Sequence, residues 1–249
     1  MTDREHERMP YSVHAEFRTA SSFLVAYSVN LSRGGLFLET ESDIPTGALI
    51  TVDLEIPTAG QISLNGVVAW RRTMELTGAQ PEGPPGLGIE FQGVAPHLGA
   101  VIDKLVSGFH GVQILVLSGD RQDRTTLARS IKSIISTADV MQAADANVAL
   151  TLMSSEIDLA VIDVDFDVEG GLQALRAAKA QVPSVPSVAL TMNNKLREHA
   201  RAAGADEIAT NPPSFAELQV VLVRALSKPT SVCGRGLDSA PRRNGLTEP

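Results

Sequence analysis

Cysteine is nearly missing from this 249-residue chain, where Cys233 is the single example. One thiol builds neither a disulfide framework nor a thiolate metal centre within a chain. No apolar run approaches a membrane span, and the polar, charged start lacks a secretory apolar region. A cytoplasmic location is therefore expected. Basic stripes are absent beyond Arg71-Arg72 and Arg242-Arg243. The net charge of −8 divides into roughly −6 over 1–110, −3 over 111–228 and +1 over the tail. Such a surface repels nucleic acid, although a few placed arginines can still hold a small anion. No Walker loop, H-E-x-x-H, G-x-S-x-G or zinc-ligand spacing occurs, and His6, His14, His97, His110 and His199 are scattered. Neither an enzyme nor a cofactor is expected.

What is present divides in two. Residues 11–18 alternate, with Tyr11, Val13, Ala15 and Phe17 on one face, and 49–56 do so with Ile50, Val52, Leu54 and Ile56. A period of two marks half-buried strands. Further strands are predicted at 22–29, 35–40, 61–73 and 86–92, separated by turns such as Pro45-Thr46-Gly47, with a turn-rich loop from Gly78 to Pro85. Six closely spaced strands predict an antiparallel barrel or sandwich. Over 95–109, Leu98, Val101, Ile102, Leu105 and Phe109 form one apolar helical stripe. Trp70 is assigned to the core, because a lone strand tryptophan more often packs inside than serves as a base platform.

Two short motifs accompany these strands, one ahead of the first and one leading into the strand at 35–40. Arg4 and Arg8 form R-x-x-x-R, two planar cationic forks suited to phosphate, to a guanine edge and to stacking on a base. Asn30, Ser32 and Gly35 then form N-x-S-x-x-G, an amide, a hydroxyl and a glycine suited to a tight loop around a polar ligand. Together with Val67-Val68-Ala69-Trp70 and Gly86-Leu87-Gly88-Ile89-Glu90-Phe91, they resemble the PilZ family, bacterial domains that bind cyclic di-GMP. The resemblance implies a six-stranded antiparallel barrel with a C-terminal helix over residues 1–110. It also implies cyclic di-GMP held by Arg4, Arg8, Asn30, Ser32 and Gly35, in signalling tied to motility or surface behaviour.

From Val112 short apolar strands alternate with helices. Strands are predicted at 113–118, 139–143, 158–163, 186–191 and 206–210, with helices near 123–136, 145–155, 170–181, 194–203 and 214–227. This α/β pattern implies a doubly wound, five-stranded parallel sheet over 111–228. Asp158 to Asp163, Gly170-Gly171-Leu172, Ala189-Leu190-Thr191 and Asn211-Pro212 resemble the response-regulator receiver family, with Asp163 at the phospho-acceptor position and Thr191 at the switch position. Ser118 and Gly119 stand where the family has an acidic pair, Asn211 replaces its lysine, and Ile208 takes the aromatic position. Without those carboxylates Mg²⁺ lacks hard oxygen ligands, and without the lysine transferred charge lacks its counter-ion. A pseudo-receiver is expected, with Asp163 vestigial. A substitute cation site from Asp120, Asp163, Asp165, Asp167 and Glu169 is the weaker alternative. Residues 229–249, rich in Pro, Gly, Ser and Arg, read as a disordered tail.

The leading expectation is a cyclic di-GMP effector that acts through an unidentified protein partner docked on the pseudo-receiver. A ligand-independent scaffold and a phosphorylated response regulator are the competing readings.

Overall fold

The computed structural model describes residues 11–31, 35–73, 85–92 and 96–235, with backbone alone for 27–31, 96–99 and 235. In chain order the first half runs β1 (Tyr11–Glu16), α1 (Ala20–Leu31), β2 (Gly35–Glu39), β3 (Leu49–Ile56), β4 (Gly60–Arg72), β5 (Gly86–Phe91) and α2 (Pro96–Ser107). The second half runs β6 (Val112–Leu117), α3 (Arg121–Ile134), β7 (Ala138–Ala143), α4 (Ala146–Leu152), β8 (Leu159–Asp163), α5 (Val168–Ala180), β9 (Ser187–Leu190), α6 (Asn194–Ala202), β10 (Glu207–Ala209), α7 (Phe215–Ser227) and β11 (Ser231–Arg235).

The first sheet has the order β11-β1-β3-β4-β5-β2. Val13, Ala15, Ile50, Val52, Leu54, Ile56, Ile62 and Leu64 are buried at alternate positions, as the period of two demands. Leu105, Val101 and Ile102 of α2 close over this core, while Phe109 of the predicted stripe follows the helix and packs on the second core, and the Leu98 side chain lies outside the described residues.

Three expectations for this half need correction. Residues 22–29 form most of α1, not a strand. Thr19 and Ser22 cap it reciprocally: the Ser22 amide donates to Thr19 Oγ1 at 3.0 Å and the Thr19 amide to Ser22 Oγ at 3.2 Å. The sequence conceals this helix because both sides are apolar: Phe23 and Ala26 enter the first core, while Val25 packs on the second domain. Secondly, the sheet is mixed and curled, since β1 runs parallel to β3 while the other pairs are antiparallel. Its order leaves β11 and β2 at the edges, so the ladders among the described residues do not close a barrel. Thirdly, the sixth strand comes from the expected disordered tail. Residues 231–235 pair antiparallel with β1, from Ser12 opposite Arg235 to Glu16 opposite Ser231. Backbone pairing needs no apolar run, which is why composition misses it.

The second sheet is all parallel, in the order β10-β9-β8-β6-β7. Strands β8 and β9 are buried throughout, which explains why they are apolar apart from Asp163 at the end of one and Ser187 at the start of the other. Numbered within the domain, the order is 2-1-3-4-5, the doubly wound arrangement of flavodoxin-like folds. Its crevice lies where β6 and β8 end, at Ser118 and Asp163.

The two halves meet through buried polar contacts. Arg18, only 5% exposed, donates to the carbonyls of Ile157, Ser155 (2.8 Å) and Pro183 (3.4 Å). Thr19 Oγ1 donates to Asp158 Oδ1 at 2.7 Å, and the Gln113 amide fills Oδ2 at 2.9 Å. Beyond α7, Lys228 Nζ lies 2.6 Å from Glu39 Oε2. Burial opposes the lysine's charge, but Glu39, Asp206 and Glu207 outweigh it and raise its pKa.

Candidate functional site

In the first domain, the surface beside Gly35 is built by glycine placement. Phe37 of β2 and Trp70 of β4 both stand opposite Gly88 of the intervening β5. Because Gly88 has no side chain, the rings meet across it: their centroids are 5.1 Å apart and their planes 7° from parallel. A Cβ on Gly88 would overlap the Trp70 ring, and one on Gly86 would crowd Phe37. A register shift between Val68 and Trp70 turns the tryptophan outward, leaving it 44% exposed. Arg72 lies over both rings, 5.0 Å from the Phe37 centroid and 5.6 Å from that of Trp70. Core assignment of Trp70 is thereby corrected. The pattern Gly86-x-Gly88 was the available signal, since two glycines in a strand mark a close approach.

A groove along this shelf is lined by Gly35, Phe37, Trp70, Gly88 and Glu90. Gly35 opens β2 opposite Glu90, where a Cβ would overlap the Ile89 carbonyl, so the position requires glycine. Asn30 lies in the last turn of α1, with its side chain outside the described residues. Arg4, Arg8 and Ser32 also lie outside them.

In the second domain, Asp163 ends β8 and is 8% exposed. Neutral donors surround its carboxylate. Ser118 Oγ donates to Oδ2 at 3.1 Å; Asn211 Nδ2 and the Asp165 amide donate to Oδ1 at 2.8 and 3.0 Å. Asp165 then accepts from Thr191 Oγ1 at 2.5 Å, from the Met192 amide at 2.9 Å and from Asn211 Nδ2 at 3.4 Å. Ser118 and Asn211, two positions singled out in the sequence, thus both donate to this carboxylate. Thr191, fully buried, is held by Asp165, a partner the sequence did not indicate.

The weaker cation alternative finds no support in these positions. Asp120 caps α3 through the Gln122 and Asp123 amides, and Asp167 caps α5 through the Gly170 amide. Glu169 pairs with Arg176 at 3.2 Å. Among the described residues no group of three or more His, Cys, Asp or Glu side chains is placed to hold a metal ion.

Comparison with known proteins gives a family match for the first half. Residues 2–108 match the PilZ domain family. No curated protein matches the chain. Similar solved structures include the receiver domain of a DNA-binding response regulator from Colwellia psychrerythraea (16% identity, 47% of this chain and 99% of that one, TM-score 0.43). Another is the receiver domain of a sensor histidine kinase from Pseudomonas aeruginosa, with magnesium in its active-site cleft (27%, 47% and 99%, 0.42). A response regulator from Thermotoga maritima gives 21% identity, the same coverages and a TM-score of 0.42. Strand order itself establishes the doubly wound fold of the second half. Residues 2–108 are a PilZ domain, and the chain joins it to a second domain of doubly wound, flavodoxin-like fold.

Proposed function

We propose that this signalling protein is a non-catalytic effector of cyclic di-GMP, held by Arg4, Arg8, Asn30, Ser32 and Gly35. The observation that carries this reading is the exposed Phe37–Trp70 stack lining the groove that starts at Gly35. A guanine presents a flat π-face and an anionic diester linkage; an exposed indole accepts the face, and arginine forks accept the linkage. The stack adds Trp70 to the motif residues as a base platform. Link to motility or surface behaviour rests on family resemblance alone.

The receiver-like domain acts in this reading as a docking module without phosphoryl chemistry, and Asp163 serves as a loop cross-link. Its support is the set of neutral donors on Asp163. Phe166 and Met192 are exposed on the loops that follow β8 and β9, and Phe215 at the start of α7, where a protein partner could bury them.

Isothermal titration of the full chain with cyclic di-GMP tests the reading. Micromolar binding that weakens by about tenfold or more in Arg8→Ala is expected. Absence of heat in the wild type would favour the ligand-independent scaffold, which the inert Asp163 also suits.

A further inference from the structure

The two ends of α1 lie in different functional territories. Its base sits inside the second domain: Arg18 is bound by carbonyls before β8 and β9, Thr19 by Asp158, and Ser21 Oγ donates to the Gly111 carbonyl at 3.4 Å. Its last turn carries Asn30, which precedes Ser32 and Gly35. Between them Phe23 and Ala26 belong to the first core, while Val25 packs against the cluster that contains Leu222 and Leu226 of α7. From α7 the chain returns to the first sheet through Lys228–Glu39 and the β11–β1 ladder. We propose that α1 relays occupancy of the nucleotide site into the receiver-like domain, with Arg18 as the positioning residue that anchors the helix there. This rests on the reading of the PilZ domain as the nucleotide sensor.

Three carbonyls from two loops hold one guanidinium, so the helix base cannot slide without breaking several bonds together. A ligand that fixes Asn30 therefore biases a rod pinned at its far end, and the restraint passes sideways into α7. Coupling of this kind requires only that α1 and α7 be tighter in the bound state than in the free state. The same route places β11 under control, because that strand follows α7 directly.

Hydrogen–deuterium exchange on the full chain, with and without cyclic di-GMP, tests the relay. In the wild type, ligand should slow exchange in β2, α1, α7 and β11. In Arg18→Met the slowing should persist in β2 and vanish in α7. Equal slowing of α7 in both proteins, or wild-type slowing confined to the first domain, overturns the relay. Lack of binding by the wild type instead overturns the sensor reading. The anchor is then judged without ligand: in mild urea, wild-type α1 and α7 should open together, and in Arg18→Met α1 should open first. Joint opening in the variant overturns the anchor. Should Arg18→Met fail to fold by circular dichroism, Arg18→Lys replaces it, keeping the charge but unable to span three carbonyls, with the same two outcomes.

Discussion

Asn211 donates its side-chain amide to Asp163 at 2.8 Å, at the position to which the sequence resemblance to receivers assigns a lysine. A neutral donor leaves the carboxylate satisfied without supplying the cation that phosphoryl transfer requires. Incubation with acetyl phosphate or beryllofluoride and Mg²⁺ should therefore leave Asp163 unmodified by mass spectrometry. Asp163→Asn should cost about 1–2 kcal/mol in urea unfolding, because one acceptor oxygen facing Ser118 or Asn211 is lost. Ser118→Asp, which sets a second carboxylate against Asp163, should destabilise the domain, and Mg²⁺ should partly restore it. A stoichiometric phosphoryl adduct would return the domain to working receivers.

Arg4→Ala and Arg8→Ala should each weaken cyclic di-GMP binding by about 1.5–3 kcal/mol, the range for charge-assisted contacts. Far-ultraviolet circular dichroism should be unchanged. Full affinity in the double variant, measured by titration calorimetry, would refute the clamp.

Trp70 offers a direct optical readout as the single tryptophan. Cyclic di-GMP should quench its fluorescence, and Trp70→Ala should weaken binding by about 1–3 kcal/mol, as for loss of one base stack. Gly88→Val should displace the indole and shift its emission even without ligand. Unchanged emission in that variant would count against the glycine-bridged stack.

Ser32→Ala and Gly35→Val should differ in kind. The first removes one proposed ligand contact, whereas the second drives a side chain into the Ile89 carbonyl and should also lower the melting temperature. Equal melting temperatures would contradict the close approach at Gly35.

Burial lifts the Asp158 carboxyl above its usual range, while the Gln113 amide, Thr19 and Arg18 pull it back. A raised carboxyl gives its full stabilisation below the unfolded value, near pH ~4, and loses it as pH rises through the folded value. Removing the cation in Arg18→Met should raise Asp158 further and carry that window to higher pH. Carbon-13 titration of the side-chain carboxyl measures the shift, and an unchanged or lower value would deny the electrostatic influence of Arg18 on it.

Local pattern determined much of this protein. Alternation in 49–56 and the buried runs before Asp163 declare their strands without neighbours, because side-chain period and burial are properties of one segment. Residue identity at 118 and 211 likewise determined that neutral side chains are available to face Asp163. Other features depended on what lies across the chain. Helix α1 carries apolar residues on both sides because two domains enclose it, so its period disappears into an apolar run. Trp70 faces outward because the register shifts before it, and it stacks on Phe37 because Gly88 between them has no side chain. β11 forms because the edge of β1 presents unpaired amides and carbonyls to a segment more than two hundred residues away. Backbone pairing and close approach leave little trace in composition, so tertiary structure decided them.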